Sequence, residues 1–239
     1  MKTIALSTAR KGSKSVPNKN VMMVDGHPLF AHNIMASNSC SAIQKTFCST
    51  DDEKIKNLSS KYSFDIIDRP EKLSGDDSSH LETIRHGILE IERQMGRIDV
   101  CVILLGNSAG TTSEDLENSI DMLEGYDSVV SVSKFNMFNP TRAWEINDKD
   151  ELKTILSQED LHKKTSGKLS NDKNSIGDVY FFNGNFQVIK RDIIFKDDND
   201  LPFPWLGKKI RPAIQDVFME LDAKWQIPLV KNEKRNNHD

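Results

Sequence analysis

Cysteine is scarce in this 239-residue chain, which has only Cys40, Cys48 and Cys101. They form no CxxC pair and no even set, so their spacing indicates neither a disulfide framework nor a cysteine-rich zinc site. The histidines add no metal motif, because His80 and His86 are six residues apart and match neither HExxH nor an i,i+4 pair. All three cysteines lie in or beside apolar stretches, which predicts small buried thiols.

Long apolar runs are also missing. The longest uninterrupted one, Val100–Leu105, is far shorter than the about 20 residues that a membrane-spanning helix needs. The amino terminus starts with a short apolar segment and turns polar at Ser7 and basic at Arg10, whereas a secretory signal has its charges first. We therefore expect a cytoplasmic protein with no membrane partner.

Neither sign of charge predominates. The chain has 32 Lys and Arg residues against 36 Asp and Glu residues, a net charge of -4, so nucleic acid is not an expected partner. Hydrophobic residues make up 37% and charged residues 28%, which is typical of a soluble globular protein and argues against global disorder, collagen and a coiled coil. The length fits one α/β domain over residues 1–239.

Strand-like and helix-like patterns alternate through the first two thirds of the chain. The pattern predicts strands at 3–7, 46–49, 64–67, 100–105 and 128–132, and helices at 28–37, 53–62, 80–95 and 116–123. A capping box over Thr50–Glu53 predicts the start of the second helix. Such alternation predicts a parallel sheet covered by helices on both faces. Ligands bind outside the carboxyl ends of such strands, which directs attention to the loop after Ser7, the segment 69–79 and the loop after Leu105.

The loop at residues 9–20 is the strongest local signal. It contains Arg10, Lys11, Lys14 and Lys19 with one glycine, two serines and no acid. Phosphate binding requires backbone amides that can approach closely and the head groups of Arg and Lys. The loop matches neither GxxxxGK[ST] nor GxGxxG, so on composition alone a solvated basic surface loop is equally compatible.

The order of residues in this loop resembles the amino-terminal signature of the CMP-sialic acid synthetase family, the cytidylyltransferases that activate acidic sugars. That signature reads A-R-x-x-S-K-x-x-x-x-K-N, and it is matched by Ala9, Arg10, Ser13, Lys14, Lys19 and Asn20. Further matches follow in the family's order: Gly26-His27-Pro28-Leu29, Ser49-Thr50-Asp51-Asp52, Arg69-Pro70, Leu73 with Asp76, Leu104-Leu105, Ser128–Val132, Asn183-Gly184 and Glu220-Leu221-Asp222. An ordered set over nearly the whole chain is specific.

The resemblance implies a Rossmann-like three-layer α/β/α nucleotidyltransferase fold with a mostly parallel sheet. It also implies CTP as co-substrate, an acidic sugar as acceptor, and a homodimer held by a small excursion within residues 135–182. By the same resemblance the nucleotide is bound by Ala9, Arg10, Ser13, Lys14, Lys19, Asn20, Arg69, and Ser79 or the adjacent His80. Arg10 and Lys14 are then catalytic candidates, since Arg recognises phosphate with a fork of donors and Lys places a point charge on the leaving pyrophosphate.

The carboxyl-terminal acids are the candidate metal ligands. Nucleotidyl transfer needs a divalent ion, Mg²⁺ or Mn²⁺, and Mg²⁺ takes one or two carboxylates. The family has a D-x-D motif here, and the register on Asp216-Val217-Phe218 places Phe at the second position, which cannot ligate. The register on Glu220-Leu221-Asp222 keeps two carboxylates on one face if the segment is extended. We therefore predict Glu220 and Asp222 as metal ligands and Asp222 as catalytic; two surface acids are the alternative.

The chain departs from the family where the acceptor contacts are expected. In place of the family's L-L-Q-P-T-S-P-L-R it has Leu104-Leu105 followed by Gly106–Thr112, without the glutamine, the prolines or the arginine. The family's Arg- and Gln-rich segment is replaced by Lys163–Lys168, so a clamp on the sugar carboxylate must use lysines or another arginine. The predicted acceptor ligands are Asn107, Ser108, Tyr180 and Asn183.

These observations leave three functions open. The first is transfer of CMP from CTP to the anomeric hydroxyl of an acidic 2-keto sugar, a sialic acid-like nonulosonate, with release of pyrophosphate. The second is a cytidylyltransferase for another acceptor, such as an octulosonic acid or a polyol phosphate, which the altered Gly106–Thr112 loop favours. The third is a CTP-binding protein that has lost catalysis. Fold resemblance alone does not choose between them.

Overall fold

The computed structural model of the chain describes residues 1–165, 177–199, 201–216 and 220–232. Its strands are β1 (Thr3–Thr8), β2 (Met23–Val24), β3 (His27–Pro28), β4 (Thr46–Thr50), β5 (Asp65–Asp68), β6 (Val100–Leu105), β7 (Ser128–Lys134), β8 (Trp144–Ile146), β9 (Leu152–Thr154), β10 (Tyr180–Lys190) and β11 (Ile210–Gln215). Its α-helices are α1 (Leu29–Ser39), α2 (Glu53–Lys56), α3 (Ser59–Tyr62), α4 (His80–Met95), α5 (Ser113–Asp121), α6 (Gln158–Lys164), α7 (Arg191–Ile194) and α8 (Ile227–Asn232).

Seven strands form one sheet in the order β11-β7-β10-β6-β1-β4-β5. The neighbouring pairs β6–β1, β1–β4 and β4–β5 are parallel, and β10 runs antiparallel to β6. The register pairs Thr8 with both Leu105 and Ser49, and Thr50 with Asp68. The carboxyl ends of the four parallel strands therefore meet at one edge, which confirms the predicted α/β fold and brings together the three segments that the sequence singled out.

Helices cover both faces of this sheet. On the face of Ala5, the buried residues Leu116 and Ile120 of α5 share a core with β6, and α1 packs on the same side. On the opposite face, α4 crosses β1 so closely that a Cβ at Gly87 would lie 2.7 Å from a methyl carbon of Leu6. Apolar residues alternate between the two faces of β1, and each face buries them under a different helix. The arrangement is the predicted three-layer α/β/α fold.

Most predicted elements are present, with shifted ends, but the helix predicted over 53–62 is two short helices, α2 and α3, separated by Asn57 and Leu58. The periodic segment His80–Met95 is a helix over those residues, and the apolar run Val100–Leu105 is a buried strand, both as predicted. The predicted Thr50–Glu53 capping box is wrong. Asp52 is the N-cap of α2 and accepts from the Lys54 amide at 2.9 Å, while the Thr50 hydroxyl accepts from the Asp52 amide. Asp52 competes successfully because its short carboxylate reaches the first free amides of the helix.

The chain forms two compact units. The first comprises Met1–Ser131, Asn183–Ala213 and the described part of Phe218–Asp239; the second comprises Val132–Phe182 and Ile214–Val217 within the described residues. The second unit contains the hairpin of β8 and β9 and the helix α6. It covers the segment predicted as a dimerisation excursion within 135–182, and that role stays a prediction.

Cys40, Cys48 and Cys101 are free and buried, as predicted. Within the described ranges, no helix has both the length and the apolar character required to cross a bilayer.

Candidate active site

A cavity of about 270 Å³ opens at the carboxyl edge of the parallel strands. It lies within the first compact unit and is bounded by the ends of β1 and β6, the loop after β1, the segment after β5 and the acidic segment near the carboxyl terminus. Its lining residues are Thr8, Arg10, Lys19, Asn20, Arg69, Leu73, Gly75, Asp76, Ser78, His80, Thr83, Leu105, Asn107 and Glu220. Six of the residues that the resemblance offered for nucleotide or metal binding, with His80 counted as the alternative to Ser79, thus share one cavity.

The basic loop presents two of its cations to a common partner. Arg10 donates to Oδ1 of Asp76 at 2.7 Å and to the carbonyl oxygen of Ser74 at 3.0 Å, and Lys14 pairs with Oδ2 of Asp76. The Asn20 amide donates to the carbonyl oxygen of Arg10 at 3.0 Å and so anchors the base of the loop. The two predicted catalytic cations therefore converge on one carboxylate. The Asp76 carboxylate occupies the place where a phosphate group would accept hydrogen bonds from the forked guanidinium of Arg10 and pair with the charge of Lys14.

The two cations also stabilise the charged form of Asp76. Hydrogen bonds from Lys14, the larger effect, and from Arg10 lower the pKa of the Asp76 carboxyl below its ordinary value. The side chain of Asp76 is 38% exposed and that of Lys14 is 82% exposed, so water screens these pairs and they hold the loop only weakly.

The acidic pair lies on the other side of the cavity. Lys19 Nζ is 2.6 Å from Oδ1 of Asp222, and the Asn107 side-chain amide donates to Oε2 of Glu220 at 3.2 Å and to Oδ1 of Asp222 at 3.1 Å. Leu221 between them is fully buried, and its amide donates to the carbonyl oxygen of Asn107 at 2.8 Å. Glu220 and Asp222 therefore share a side, as predicted.

The reason for this placement differs from the predicted one. The segment is irregular rather than a β-strand. It is held by the anchored Leu221, by Gln226, whose side-chain oxygen accepts from the Asp222 amide at 2.8 Å, and by close packing of Glu220 on Gly184. A Cβ at Gly184, whose φ is +78°, would lie 2.6 Å from the Cβ of Glu220, so this position needs glycine.

The donor chemistry of this pair suits a hard divalent cation. Burial first, and then the neighbouring charge of Asp222, raise the pKa of Glu220 above its ordinary range. Two carboxylates that repel each other are a site that a cation stabilises, and Mg²⁺ prefers oxygen ligands of this kind. Among the described residues, no group of three or more His, Cys, Asp or Glu side chains could hold an ion. Mg²⁺ bound by one or two carboxylates takes its other ligands from water and substrate phosphates.

Arg69 and His80 form the floor of the cavity. Arg69 donates to the Ser49 hydroxyl at 3.2 Å and to its carbonyl oxygen at 2.8 Å, and His80 Nε2 lies 3.2 Å from the Thr8 hydroxyl. The His80 ring packs edge-on against Trp205, with the ring centroids 5.4 Å apart. Burial lowers the pKa of His80 to about 4, and the positive charge of Arg69 adds to the effect. His80 is therefore neutral at pH 7 and offers a hydrogen-bonding edge without charge.

Several predicted site residues do not line the cavity. Ala9 is buried and donates its amide to the carbonyl oxygen of Ser49, Ser13 is half-buried in the basic loop, and Ser79 is the N-cap of α4 with its hydroxyl accepting from the Glu82 amide. Tyr180 belongs to the second compact unit and is exposed. The roles of these residues stay predictions. The segment Lys163–Lys168 lies outside the described residues from 166 onward.

Ser108 and Asn183 are interior residues rather than exposed acceptor contacts. The Ser108 hydroxyl accepts from the Asn33 amide at 2.9 Å and donates to Oδ1 of Asn185 at 2.9 Å, and no part of Ser108 is exposed. Asn183 is 2% exposed, and its Oδ1 accepts from the Ser131 hydroxyl at 2.7 Å. Both side chains organise the polar interior beneath the loop after β6. Neither residue lines the cavity, and their predicted contact with the acceptor stays a prediction.

Sequence reasoning assigned no role to Thr8, Ser78 or Asp76, which line the cavity. Thr8 is the last residue of β1, and its position at the carboxyl end of a parallel strand was a usable signal. Asp76 matched the family pattern, and its position in the segment after β5 placed it at the same edge. Its partners, Arg10 and Lys14, are more than 60 residues away in the chain, so no local pattern could have indicated the pairing.

A larger cavity, of about 620 Å³, lies at the opposite edge of the sheet. Residues at its lining include Asp99 and Val100 at the start of β6. Several of its charged groups pair with one another or with nearby acids: Asp192 accepts from Arg97 at 2.5 Å, and Arg191 pairs with Glu92 at 2.9 Å. The smaller cavity is the candidate active site because it collects cations and paired carboxylates where parallel strands place ligands.

Comparison with known proteins identifies relatives of the chain. The sequence profile of the family described as Cytidylyltransferase matches residues 4–204. N-acylneuraminate cytidylyltransferase A of Danio rerio is 33% identical over 136 residues, which are 56% of this chain and 31% of that protein. Pseudaminic acid cytidylyltransferase of Campylobacter jejuni is 24% identical over 204 residues, covering 82% of this chain and 84% of that protein. The chain spans about a third of the length of the first curated relatives it matches.

Solved structures of similar fold agree with this relationship. CMP:2-keto-3-deoxy-manno-octonic acid synthetase complexed with CTP superimposes with a TM-score of 0.68 at 14% identity, over 98% of this chain and 99% of that one. The 4-diphosphocytidyl-2C-methyl-D-erythritol synthase of Anaerococcus prevotii gives 0.65 at 12% identity, over 98% and 99%. These likenesses confirm the nucleotidyltransferase fold. Its relatives include cytidylyltransferases for N-acylneuraminate and pseudaminic acid and a CMP-N,N'-diacetyllegionaminic acid synthase. Because the family profile matches most of its length, the chain belongs to the cytidylyltransferase family.

Proposed function

We propose that the protein transfers CMP from CTP to the anomeric hydroxyl of an acidic 2-keto sugar of the nonulosonate type and releases pyrophosphate. The observation that carries the proposal is the cavity that brings Arg10 and Lys19 to the same space as Glu220. Lys14 and Asp222 are joined to that space by ion pairs with Asp76 and Lys19. Cations for a triphosphate and carboxylates for a divalent ion are what nucleotidyl transfer requires.

In the proposed reaction the acceptor hydroxyl oxygen attacks the α-phosphorus of CTP in line. A bond forms between that oxygen and the phosphorus, and the bond from the phosphorus to the oxygen that bridges to the β-phosphate breaks. The hydroxyl proton passes to water, and pyrophosphate leaves with the bonding electrons. Arg10 and Lys14 stabilise the charge that develops on the phosphate oxygens, after exchanging Asp76 for the nucleotide.

Glu220 and Asp222 are the residues that would hold Mg²⁺ or Mn²⁺. Such an ion supplies screening of the phosphate charge and polarisation of phosphate oxygens. Lys19, which contacts Asp222, and Asn20, which anchors the basic loop, orient the groups around the triphosphate. Arg69 and His80 form the floor on which the base would lie, and they offer one charged guanidinium and one neutral imidazole ring backed by Trp205.

A second acceptor class is favoured by one observation. Gly106 follows β6 without a side chain, and a Cβ there would lie 2.7 Å from the Cβ of Ala9. The position where the family resemblance expects a glutamine therefore offers the acceptor no side-chain contact. An octulosonic acid or a polyol phosphate is the alternative acceptor. A chain that binds CTP without turnover is the third outcome that the same experiment detects.

The test is pyrophosphate release from CTP and Mg²⁺ with a panel of sialic, legionaminic, pseudaminic and octulosonic acids and a polyol phosphate. We expect release with at least one nonulosonic acid and its loss in Arg10→Ala. Arg93→Ala, at an exposed arginine of α4 that pairs with Glu90, is the matched control and should keep the activity. Release with an octulosonic acid or a polyol phosphate alone selects the second acceptor class. Folded protein that binds CTP but reacts with no acceptor contradicts the proposed transfer.

The homodimer belongs to the same proposal. In the hairpin of the second unit, Ile146 pairs with Leu152 across the two strands, and Trp144 lies two residues before Ile146, so all three share one face. Their exposed fractions are 69%, 65% and 56%. An isolated hairpin with an exposed apolar face is typical of a segment that packs against another chain. The cytoplasmic location expected from the sequence stays a prediction.

A further inference from the structure

Residue 107 is fixed in position by its neighbours on both sides. On one side, the Gly106 amide donates to the carbonyl oxygen of Thr8 at 3.1 Å, and Gly106 approaches Ala9 too closely for any side chain. On the other side, Ser108 is buried between the amides of Asn33 and Asn185. The loop therefore holds the main chain of Asn107 between two anchors.

The contacts of Asn107 go to the acidic segment by both its main chain and its side chain. Its carbonyl oxygen accepts from the Leu221 amide, and this hydrogen bond fixes the main chain of that segment beside the loop after β6. Its side-chain amide has two hydrogens, and it donates one to Glu220 and one to Asp222 at 3.2 and 3.1 Å. One rigidly placed group thus spans both carboxylates.

This contact meets a specific need of the acid pair. Glu220 and Asp222 both accept from the one Asn107 side-chain nitrogen, so their carboxylates lie close together, and like charges repel each other at short range. Lys19 forms its ion pair with Asp222, whereas the Asn107 amide donates to both carboxylates. It uses one oxygen of each carboxylate, Oε2 and Oδ1, and so leaves the other oxygen of each outside its contacts.

We infer that Asn107 is a positioning residue that holds Glu220 and Asp222 at the separation a divalent cation requires. This inference rests on the proposed function for the purpose of the cation, and it differs from the direct acceptor contact predicted from the sequence. Hydrogen-bond partners of metal-ligating carboxylates set ligand orientation, and their loss costs at least tenfold in metal affinity or activity in typical sites.

The test measures Mn²⁺ binding by electron paramagnetic resonance, with and without CTP, in the wild type and in Asn107→Ala. We expect the dissociation constant for Mn²⁺ to rise about tenfold in the variant. In turnover, the Mg²⁺ concentration for half-maximal rate should rise by a similar factor, while kcat at saturating Mg²⁺ and KM for the acceptor change less than about twofold. Asn199→Ala is the matched control, because it removes a single hydrogen bond from a side-chain amide to the Ile193 carbonyl oxygen. It should change neither the Mn²⁺ dissociation constant nor the Mg²⁺ concentration for half-maximal rate.

A second variant keeps the test decisive if Asn107→Ala does not fold. Asn107→Ser retains a polar side chain, but its single O–H cannot donate to both carboxylates, so we expect the same loss of Mn²⁺ affinity. An unchanged Mn²⁺ dissociation constant in either folded variant overturns the inference, as does a wild type that binds no Mn²⁺. A raised acceptor KM with unchanged Mn²⁺ affinity also overturns it and returns Asn107 to the role of acceptor ligand.

Different results would contradict the proposed function and the positioning role of Asn107. Wild type that binds Mn²⁺ with CTP but transfers CMP to no acceptor contradicts the proposed function while the positioning role is still measured by Mn²⁺ binding. An active wild type whose Asn107→Ala variant keeps its metal affinity contradicts the positioning role and leaves the proposed function in place.

Discussion

Asp222 is the single residue on which the proposed chemistry depends most. Its carboxylate contacts Lys19 at 2.6 Å and the Asn107 amide at 3.1 Å, and its side chain is 54% exposed, so it contributes little to the core. We expect Asp222→Asn to reduce turnover at least about a hundredfold without changing the thermal unfolding midpoint by more than a few degrees, because the change removes a charge for the cation and no packing. Steady-state kinetics at saturating Mg²⁺ and thermal unfolding measure the two quantities.

Asp216 is the matched control for this prediction, because it belongs to the other possible register of the acidic motif. It is exposed, and its carbonyl oxygen accepts from the Ser133 hydroxyl, which a change to asparagine leaves intact. Asp216→Asn should keep turnover within about twofold of the wild type. A dead Asp216→Asn enzyme beside a near-normal Asp222→Asn enzyme would show that the predicted register is wrong.

Asp76 competes with the nucleotide for Arg10 and Lys14. The pairs are solvent-screened, and exposed ion pairs of this kind are weak, so their loss should favour phosphate binding only modestly. We expect Asp76→Asn to lower the dissociation constant for CTP by about threefold, measured by calorimetric titration at low ionic strength. The effect should shrink as salt is added, since salt screens both the pairs and the phosphate contacts.

Asp77 provides the comparison, since it is the adjacent exposed acid and does not line the cavity. Asp77→Asn changes the net charge by the same amount, so an equal gain in CTP affinity in both variants would indicate a general charge effect. Weaker CTP binding in Asp76→Asn would show that Asp76 organises the two cations for the nucleotide rather than competing with it.

The start of α4 makes the free energy of unfolding depend on pH, because it places His80 in the floor of the cavity. His80, the first residue of this helix, packs between Thr8 and Trp205 and beside Arg69, and its folded pKa is about 4 against 6.5 in an exposed histidine. Between these values the unfolded chain binds more protons, so the free energy of unfolding falls as the pH falls from about 6.5 towards 4. The full difference amounts to about 3 kcal/mol.

We expect His80→Gln to reduce this acid sensitivity. Glutamine does not titrate, so the difference in the free energy of unfolding between wild type and variant should change by up to about 3 kcal/mol between pH 7 and pH 4. Urea unfolding at several pH values measures it, and comparison with the wild type cancels the carboxylates that titrate in both proteins. An unchanged difference across this range would show that His80 titrates normally in the folded protein.

At the scale of the whole molecule, the exposed hairpin predicts the state of assembly. The wild type should sediment at about twice the chain mass of 27.1 kDa. Replacing Ile146 and Leu152, which are paired on one exposed face, by aspartate should give a monomer, because each change places an unpaired charge in an apolar interface. Thermal unfolding checks that the hairpin variant is folded. A monomeric wild type would contradict the predicted dimer.

Sequence alone determined most of the strands and helices in the first two thirds of the chain and their order. The stripe of His80–Met95 and the apolar run Val100–Leu105 carry their period in the residues themselves, and alternation of strands and helices leads to a parallel sheet. The basic loop and the Glu220–Asp222 pair were recognisable because local order and side-chain chemistry suffice to define them. The edge at which they meet followed from the rule for parallel strands.

Only the tertiary structure decided which atoms face each other. Arg10 meets Asp76 across 66 residues, and Asn107 meets Asp222 across 115, so both contacts depend on how separate segments pack rather than on any local pattern. For the same reason Ser108, which the sequence offered as an acceptor ligand, lies inside the protein. The sequence shows which side chains are polar, but their exposure depends on neighbours from distant parts of the chain. A hydroxyl can be buried where packing supplies its hydrogen-bond partners.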